Sequence, residues 1–240
     1  MEKVDVINRT DLFKQVGPVN IVDMSTRRFL FSQDEFYHLY NRGNSKQKVF
    51  LDESDYKRFV TLLYVSNSTE AFKLFFIRKP YEIDRGDLLV SIAAYCLMPN
   101  HFHILITPMV EDGVSLFMKK LTTGYSMYFN NKYDRTGSLF EGRFKAKHVA
   151  DDEYLKYLYS YIHLNPVKLI QPDWKEVGIS DKGKAKKFIR EYKYSSYVDY
   201  LKEKRKERLI LNTSQFPKYF DTQEDFETSV FDWFEDDMRI

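Results

Sequence analysis

LLVSIAAYCLMPNHFHILIT, residues 88–107, reads as two apolar strands, Leu88–Leu97 and His101–Thr107, folded about a Met98-Pro99-Asn100 turn. Pro-Asn is turn chemistry, and the runs on either side are the right length and composition for strands. Side chains alternate across a strand, so His101 and His103 share one face while Phe102, Ile104 and Ile106 take the other. Two neutral imidazoles on a rigid face can hold a divalent cation and leave its remaining positions open. The same residues also suit a strand edge that carries two polar side chains.

Working outward, Glu35–Tyr40 is a short strand ended by Asn41-Arg42-Gly43-Asn44. Asp52 or Ser54 caps a helix running to Val65, with Phe59, Leu62 and Leu63 at helical spacing. Phe72–Ile77 is a candidate strand and residues 78–87 a polar connection. A long helix runs from Gly113 to Lys132. Leu139–Val149 is extended and presents Arg143, Lys145 and Lys147 on one face. Asp151-Asp152-Glu153 then opens a helix over Tyr154–Leu164, which Asn165-Pro166 stops. The order β-α-β-β-α-β-α predicts an α+β fold. Its simplest arrangement is a ferredoxin-like antiparallel sheet with helices on one face. Residues 1–30 form an N-terminal arm, 31–170 the core, and 171–240 a basic, then acidic, helical extension.

Composition excludes several classes. Hydrophobic content of 43% with 17% aromatics in 240 residues supports a packed core rather than disorder. No apolar run is long enough for a membrane span, and the first residues lack a signal-peptide layout. A lone cysteine, Cys96, excludes an intramolecular disulfide and a thiolate zinc finger. It suits a reducing cytoplasm and reads as a core filler.

Net charge is +2, yet Lys182–Arg208 holds 11 Lys/Arg against 4 Asp/Glu, and Asp221–Ile240 holds 8 Asp/Glu against one Arg. The basic block is interleaved with Tyr192, Tyr194, Tyr197 and Tyr200. It suits a nucleic-acid backbone with stacking bases, or a solvated helix whose tyrosines pack inward. The acidic tail either neutralises that block within the chain or discourages misplaced DNA binding.

Tyr154 lies in the first turn of its helix, where a side chain can point off the end toward a facing sheet. Tyr157, Leu158 and Tyr161 share its face. A tyrosine attacking a phosphodiester must lose a proton whose free pKa is near 10. A cation alongside can polarise the phosphate.

YHLYNRG (37–43), CLMPNHFHIL (96–105), GSLFEGRFKAKHV (137–149) and DDEYLKYLYSYIHLNPVK (151–168) together resemble the single-tyrosine HUH transposases. Within them the chain is most similar to the REP-associated tyrosine transposases, and EYKYSSYVDYL (191–201) extends that likeness. The resemblance implies an HUH nuclease core that cuts single-stranded DNA at the foot of a hairpin through a 5′-phosphotyrosine, which a 3′-OH then attacks to rejoin the strand. By position, His101 and His103 match the pair that binds Mg²⁺ or Mn²⁺, and Tyr154 matches the nucleophile. Related insertion-sequence enzymes place a glutamine ligand one helical turn after the tyrosine, where this chain has Leu158. That leaves His38, His148 or Glu141 as third ligand, or water and DNA. His163, on the opposite helix face, is a weaker candidate. Asn41 and Arg42 could hold a phosphate or base of a guide sequence, or form an ordinary turn in which Gly43 supplies positive φ. Arg143, Lys145 and Lys147 suit a hairpin stem.

The expected partner is single-stranded or hairpin DNA in a bacterial cytoplasm, at the nucleoid. The short link from Val149 to Tyr154 favours a monomer over a homodimer that exchanges its tyrosine helix. The main rival is a catalytically silent hairpin-binding protein. A water-using histidine–metal hydrolase gives Tyr154 no task. An RNA-binding α+β module would carry exposed aromatics, not histidines, on its central strands.

Overall fold

The computed structural model describes residues 31–71, 77–202 and 204–232. The N-terminal arm and residues 72–76 of the expected Phe72–Ile77 strand lie outside them. Strand β1 (Phe36–Arg42) leads to α1 (Glu53–Val65), then to the hairpin β2 (Val90–Met98) and β3 (His101–Pro108). Helix α2 (Gly113–Lys132), β4 (Lys145–Val149) and α3 (Asp152–Leu164) follow. The sheet order is β2-β3-β1-β4, and every neighbouring pair is antiparallel. This is the ferredoxin-like arrangement of an α+β chain, with β3 inserted between the parallel strands β1 and β2.

Local chemistry sets the boundaries. Asp52 caps α1 by accepting from the backbone N–H of Ser54 and Asp55, and Asp55 returns the bond to complete a capping box. Met98 pairs with His101 across the Pro99-Asn100 turn, so the hairpin loop is two residues long. Asp151 caps α3 through the Tyr154 N–H at 2.7 Å.

The two sheet faces are both covered, which differs from the expected one-sided packing. Leu39, Phe102, Ile104 and Ile106 pack under α1 and α2, against Phe59, Leu63, Phe117, Leu121 and Tyr125. Ala94, Cys96, Met98 and Leu105 on the reverse face pack against Leu155, Leu158 and Ile162 of α3. The reason was visible in β2, which is apolar without alternation and buried along its whole length.

The extension holds α4 (Trp174–Val177), α5 (Lys182–Glu191), α6 (Tyr197–Tyr200) and α7 (Gln223–Asp232). It forms a third cluster in which Trp174, Ala185, Ile189, Tyr197, Phe226 and Val230 close over Leu164 and Val167. It also pairs with the outer edge of β2: Leu97 N–H donates to Tyr194 O and Ser196 N–H to Tyr95 O, each at 2.9 Å. The tyrosines of the basic block pack inward. Tyr192 donates to Leu97 O, Tyr200 to Ala93 O and Tyr197 to Glu227, and Tyr194 stacks on Tyr56. They are structural, and the base-stacking reading falls. Glu227 of the acidic tail forms a bidentate pair with Arg190, so this part of the tail does neutralise the basic block.

Candidate active site

The register of β1 against β3 builds the site. Tyr40 lies opposite His103 and Arg42 opposite His101. His38, on the same face, brings its Nε2 to 2.9 Å from His103 Nδ1, and the two rings stack. His101 Nδ1 lies 2.6 Å from Asn100 Oδ1. Both members of the pair therefore have Nδ1 engaged, which leaves Nε2 as the nitrogen open to the cleft. Burial first, then the charges of Lys147 and Lys175, push the His38 pKa down to about 3. Burial with Lys175, Lys168 and Arg42 takes His101 to about 4, and burial holds His103 well below its usual range. All three imidazoles are neutral at pH 7, the form that ligates metals.

Helix α3 crosses this face, and the side chain it delivers is Tyr161. Its ring meets His38 edge-on at 5.8 Å and His103 at 5.5 Å between centroids. Burial pushes the phenol up to about 12, against a hydrogen bond with Asn165. Asn165 is steadied by donating from Nδ2 to Tyr161 O at 2.7 Å. Lys175 of α4 places Nζ 4.1 Å from the Tyr161 ring centroid.

These residues line an open cleft of about 820 Å³. Arg42, Lys46, Lys48, Lys145, Lys168 and Lys175 line it with a single carboxylate, Glu141. That carboxylate is held by Arg42 at 2.5 Å. Such a cleft favours a polyanion.

Tyr154 does not line this cleft. It is almost wholly buried, ring-stacked on Tyr157 at 5.9 Å, and capped by Lys147 Nζ at 4.3 Å from its centroid. Seven residues separate it from Tyr161, about 10 Å of helix rise. The expectation that Tyr154 faces the histidines is corrected: two turns further along the same helical face, α3 meets the sheet at Tyr161. Periodicity put both on one face and could not say where along its axis the helix crosses β3.

The basic residues also separate. Lys145 lines the cleft, Lys147 turns to Tyr154, and Arg143 is exposed and outside β4. The extended reading of residues 139–149 fails in its first half because Gly142, at φ +69°, breaks the run before Lys145. Asn41 is buried, with Nδ2 on Gly142 O and Oδ1 accepting from Arg42 N–H, so it shapes the turn and presents Arg42. Among the third-ligand candidates, His38 is hydrogen-bonded to His103, and Glu141 lines the cleft but is paired with Arg42. His148 pairs with Glu35 at 2.5 Å, away from the cleft. His163 bonds Ser196 Oγ on the far side of α3.

The family model described as transposase IS200-like matches residues 83–165. This IS200-like segment spans the β2–β3 hairpin, α2, β4 and α3, and so contains His101, His103 and Tyr161. No curated protein matches the chain. A solved structure of a REP-associated tyrosine transposase bound to a REP hairpin is similar at 12% identity, over 75% of this chain and 87% of that one, with a TM-score of 0.46. Among the described residues no helix is long and apolar enough to cross a membrane.

Proposed function

We propose that this chain cuts and rejoins single-stranded DNA beside hairpins, with Tyr161 as the nucleophile. One observation carries the assignment: Tyr161 is the α3 tyrosine that meets the histidine cluster at the floor of a cationic cleft. In the reaction a bond forms between Tyr161 Oη and phosphorus, and the P–O3′ bond breaks. The phenol proton is lost and the departing 3′ oxygen ends as a hydroxyl. Attack by a 3′-OH on the phosphotyrosine reverses these changes and restores the phenol, so no ATP is consumed. Arg42 and Lys145 would hold flanking phosphates.

The residues present fit a divalent cation. His101 and His103 are neutral, and each ring is fixed by a neighbour on Nδ1, as ligating imidazoles are. Among the described residues no third His, Cys, Asp or Glu completes a ligand cluster with them. The carboxamide of Asn165 lines the same cleft one turn after Tyr161, the place that the family resemblance gives to a glutamine. His101, His103 and Asn165 would thus hold Mg²⁺ or Mn²⁺, with water and DNA oxygens completing the shell. Such an ion polarises the phosphoryl oxygens.

The test is a labelled hairpin with unpaired flanks, incubated with protein and Mn²⁺ and run on denaturing gels. A covalent adduct is expected from the wild type and from Tyr154→Phe, and none from Tyr161→Phe or with chelator. An adduct that survives Tyr161→Phe would overturn the assignment. Tight hairpin binding with no adduct at any time would indicate a silent binder.

A further inference from the structure

We propose that Lys175, supported by Lys168, is a phosphate clamp whose ammonium holds the scissile phosphoryl group over Tyr161. The proposal deepens the reading above and rests on it for the reacting tyrosine.

The seat of Lys175 is built. It follows Trp174 on the four-residue helix α4, and Trp174 is fully buried in the third cluster. That anchor fixes the backbone and turns the lysine stem into the cleft instead of toward solvent. Nζ then stands 4.1 Å from the Tyr161 centroid, and its charge reaches His38, His101 and His103. A phosphoryl group bonded to the Tyr161 hydroxyl would lie within reach of that ammonium.

Among the described residues, only the Tyr161 ring and the Trp174 ring, 5.5 Å from Nζ, stand against so costly a placement. Among the described residues Lys175 forms no ion pair, and the carboxylate in the cleft, Glu141, is engaged by Arg42. A cation over an aromatic face is a weak attraction, which has to stand against removal of an ammonium from water. Burial, then the like charge of Lys168, takes Lys175 down to about 8. An anion between the two lysines would reverse both effects. In the transfer step the ammonium keeps its proton throughout; it complements the non-bridging oxygens while the phosphorus exchanges its bond to O3′ for one to Tyr161 Oη. Lys175 touches the reacting group, which makes it catalytic in the strict sense. Lys168 acts beside it.

The experiment reads charge coupling at equilibrium, with chelator present so that nothing is cut. Binding of the hairpin with its single-stranded flanks is measured by fluorescence anisotropy. One flank phosphate at a time is replaced by an uncharged methylphosphonate. In the full-length wild type, one position should cost about tenfold or more in affinity, the worth of a charge-assisted hydrogen bond. In Lys175→Met the natural DNA should bind that much more weakly, and the same replacement should cost nothing further. Lys175→Arg should restore the wild-type profile, and Lys168→Gln should show a smaller loss at the same position. If Lys175→Met keeps the wild-type profile at every position, the clamp is wrong. Absent adduct with intact coupling would remove the strand-transfer reading and keep the clamp; adduct without coupling would remove the clamp alone.

Discussion

His163 lies two residues beyond Tyr161 and on the other side of α3, with its Nε2 on Ser196 Oγ at 2.8 Å. Tyr197, Tyr200 and Phe226 surround its ring, and it has no exposed surface. Burial pushes its pKa down to about 3. Below pH 6.5 the unfolded chain takes up a proton there that the folded chain refuses until about pH 3. The stability is therefore intact above 6.5 and is lost as pH falls through that window, at about 1.4 kcal/mol per unit of pH for each such histidine. His38 and His101 act in the same direction. In His163→Gln the acid-side slope should drop by about one proton's worth, whatever the offset at pH 7. Urea titrations at pH 7, 6 and 5 check this, and an unchanged slope would show that His163 is not held neutral by the fold.

At the scale of elements, the end of β1 is where the site's geometry is set. Gly43 has φ −61°, so no left-handed backbone demands a glycine; the demand is space. A Cβ there would stand 2.2 Å from Gln47 O and 2.8 Å from Val49 Cγ1. The crowding arises because residues 43–50 fold onto the hairpin turn, with Gly43 N–H on Asn100 O and Val49 N–H on Pro99 O. That contact locks Arg42 and His101 side by side. Gly43→Ala should cost about 1–3 kcal/mol, as overpacking does, and should weaken hairpin binding with it. A loss below about 0.5 kcal/mol in chemical denaturation would show that the turn can shift freely. The hairpin, the caps and the long helix α2 were legible because each rests on local chemistry: Pro-Asn, Asp52, and apolar residues at three and four. The histidine face was legible for the same reason. Tyr161 was not, because four residues of α3 share the sheet-facing stripe and only the crossing point on β3 chooses among them. Lys175 gave no signal at all, since its place depends on where Trp174 is buried.

For the whole molecule, the question is whether residues 31–170 stand without the extension. Three observations predict that they do not. β2 is buried on both faces, and its outer edge is paired through Leu97, Tyr95 and Ile92 to Tyr194, Ser196 and Asn212. Tyr192, Tyr200 and Phe216 complete the apolar layer under α3. Asp199, fully buried, takes two hydrogen bonds from Arg205, whose guanidinium also bonds Tyr95 Oη on β2. A chain ending at Ile170 would expose an apolar strand with a free edge, which is a template for association with other copies. It would also lose the Trp174 anchor and, with it, Lys175. Such a truncated chain should aggregate or elute as large oligomers in size-exclusion chromatography, with its β2 amides exchanging rapidly. A truncated chain that runs as a monomer with native-like amide protection would show instead that the sheet and its two helical layers are sufficient, and that the extension serves the cleft alone.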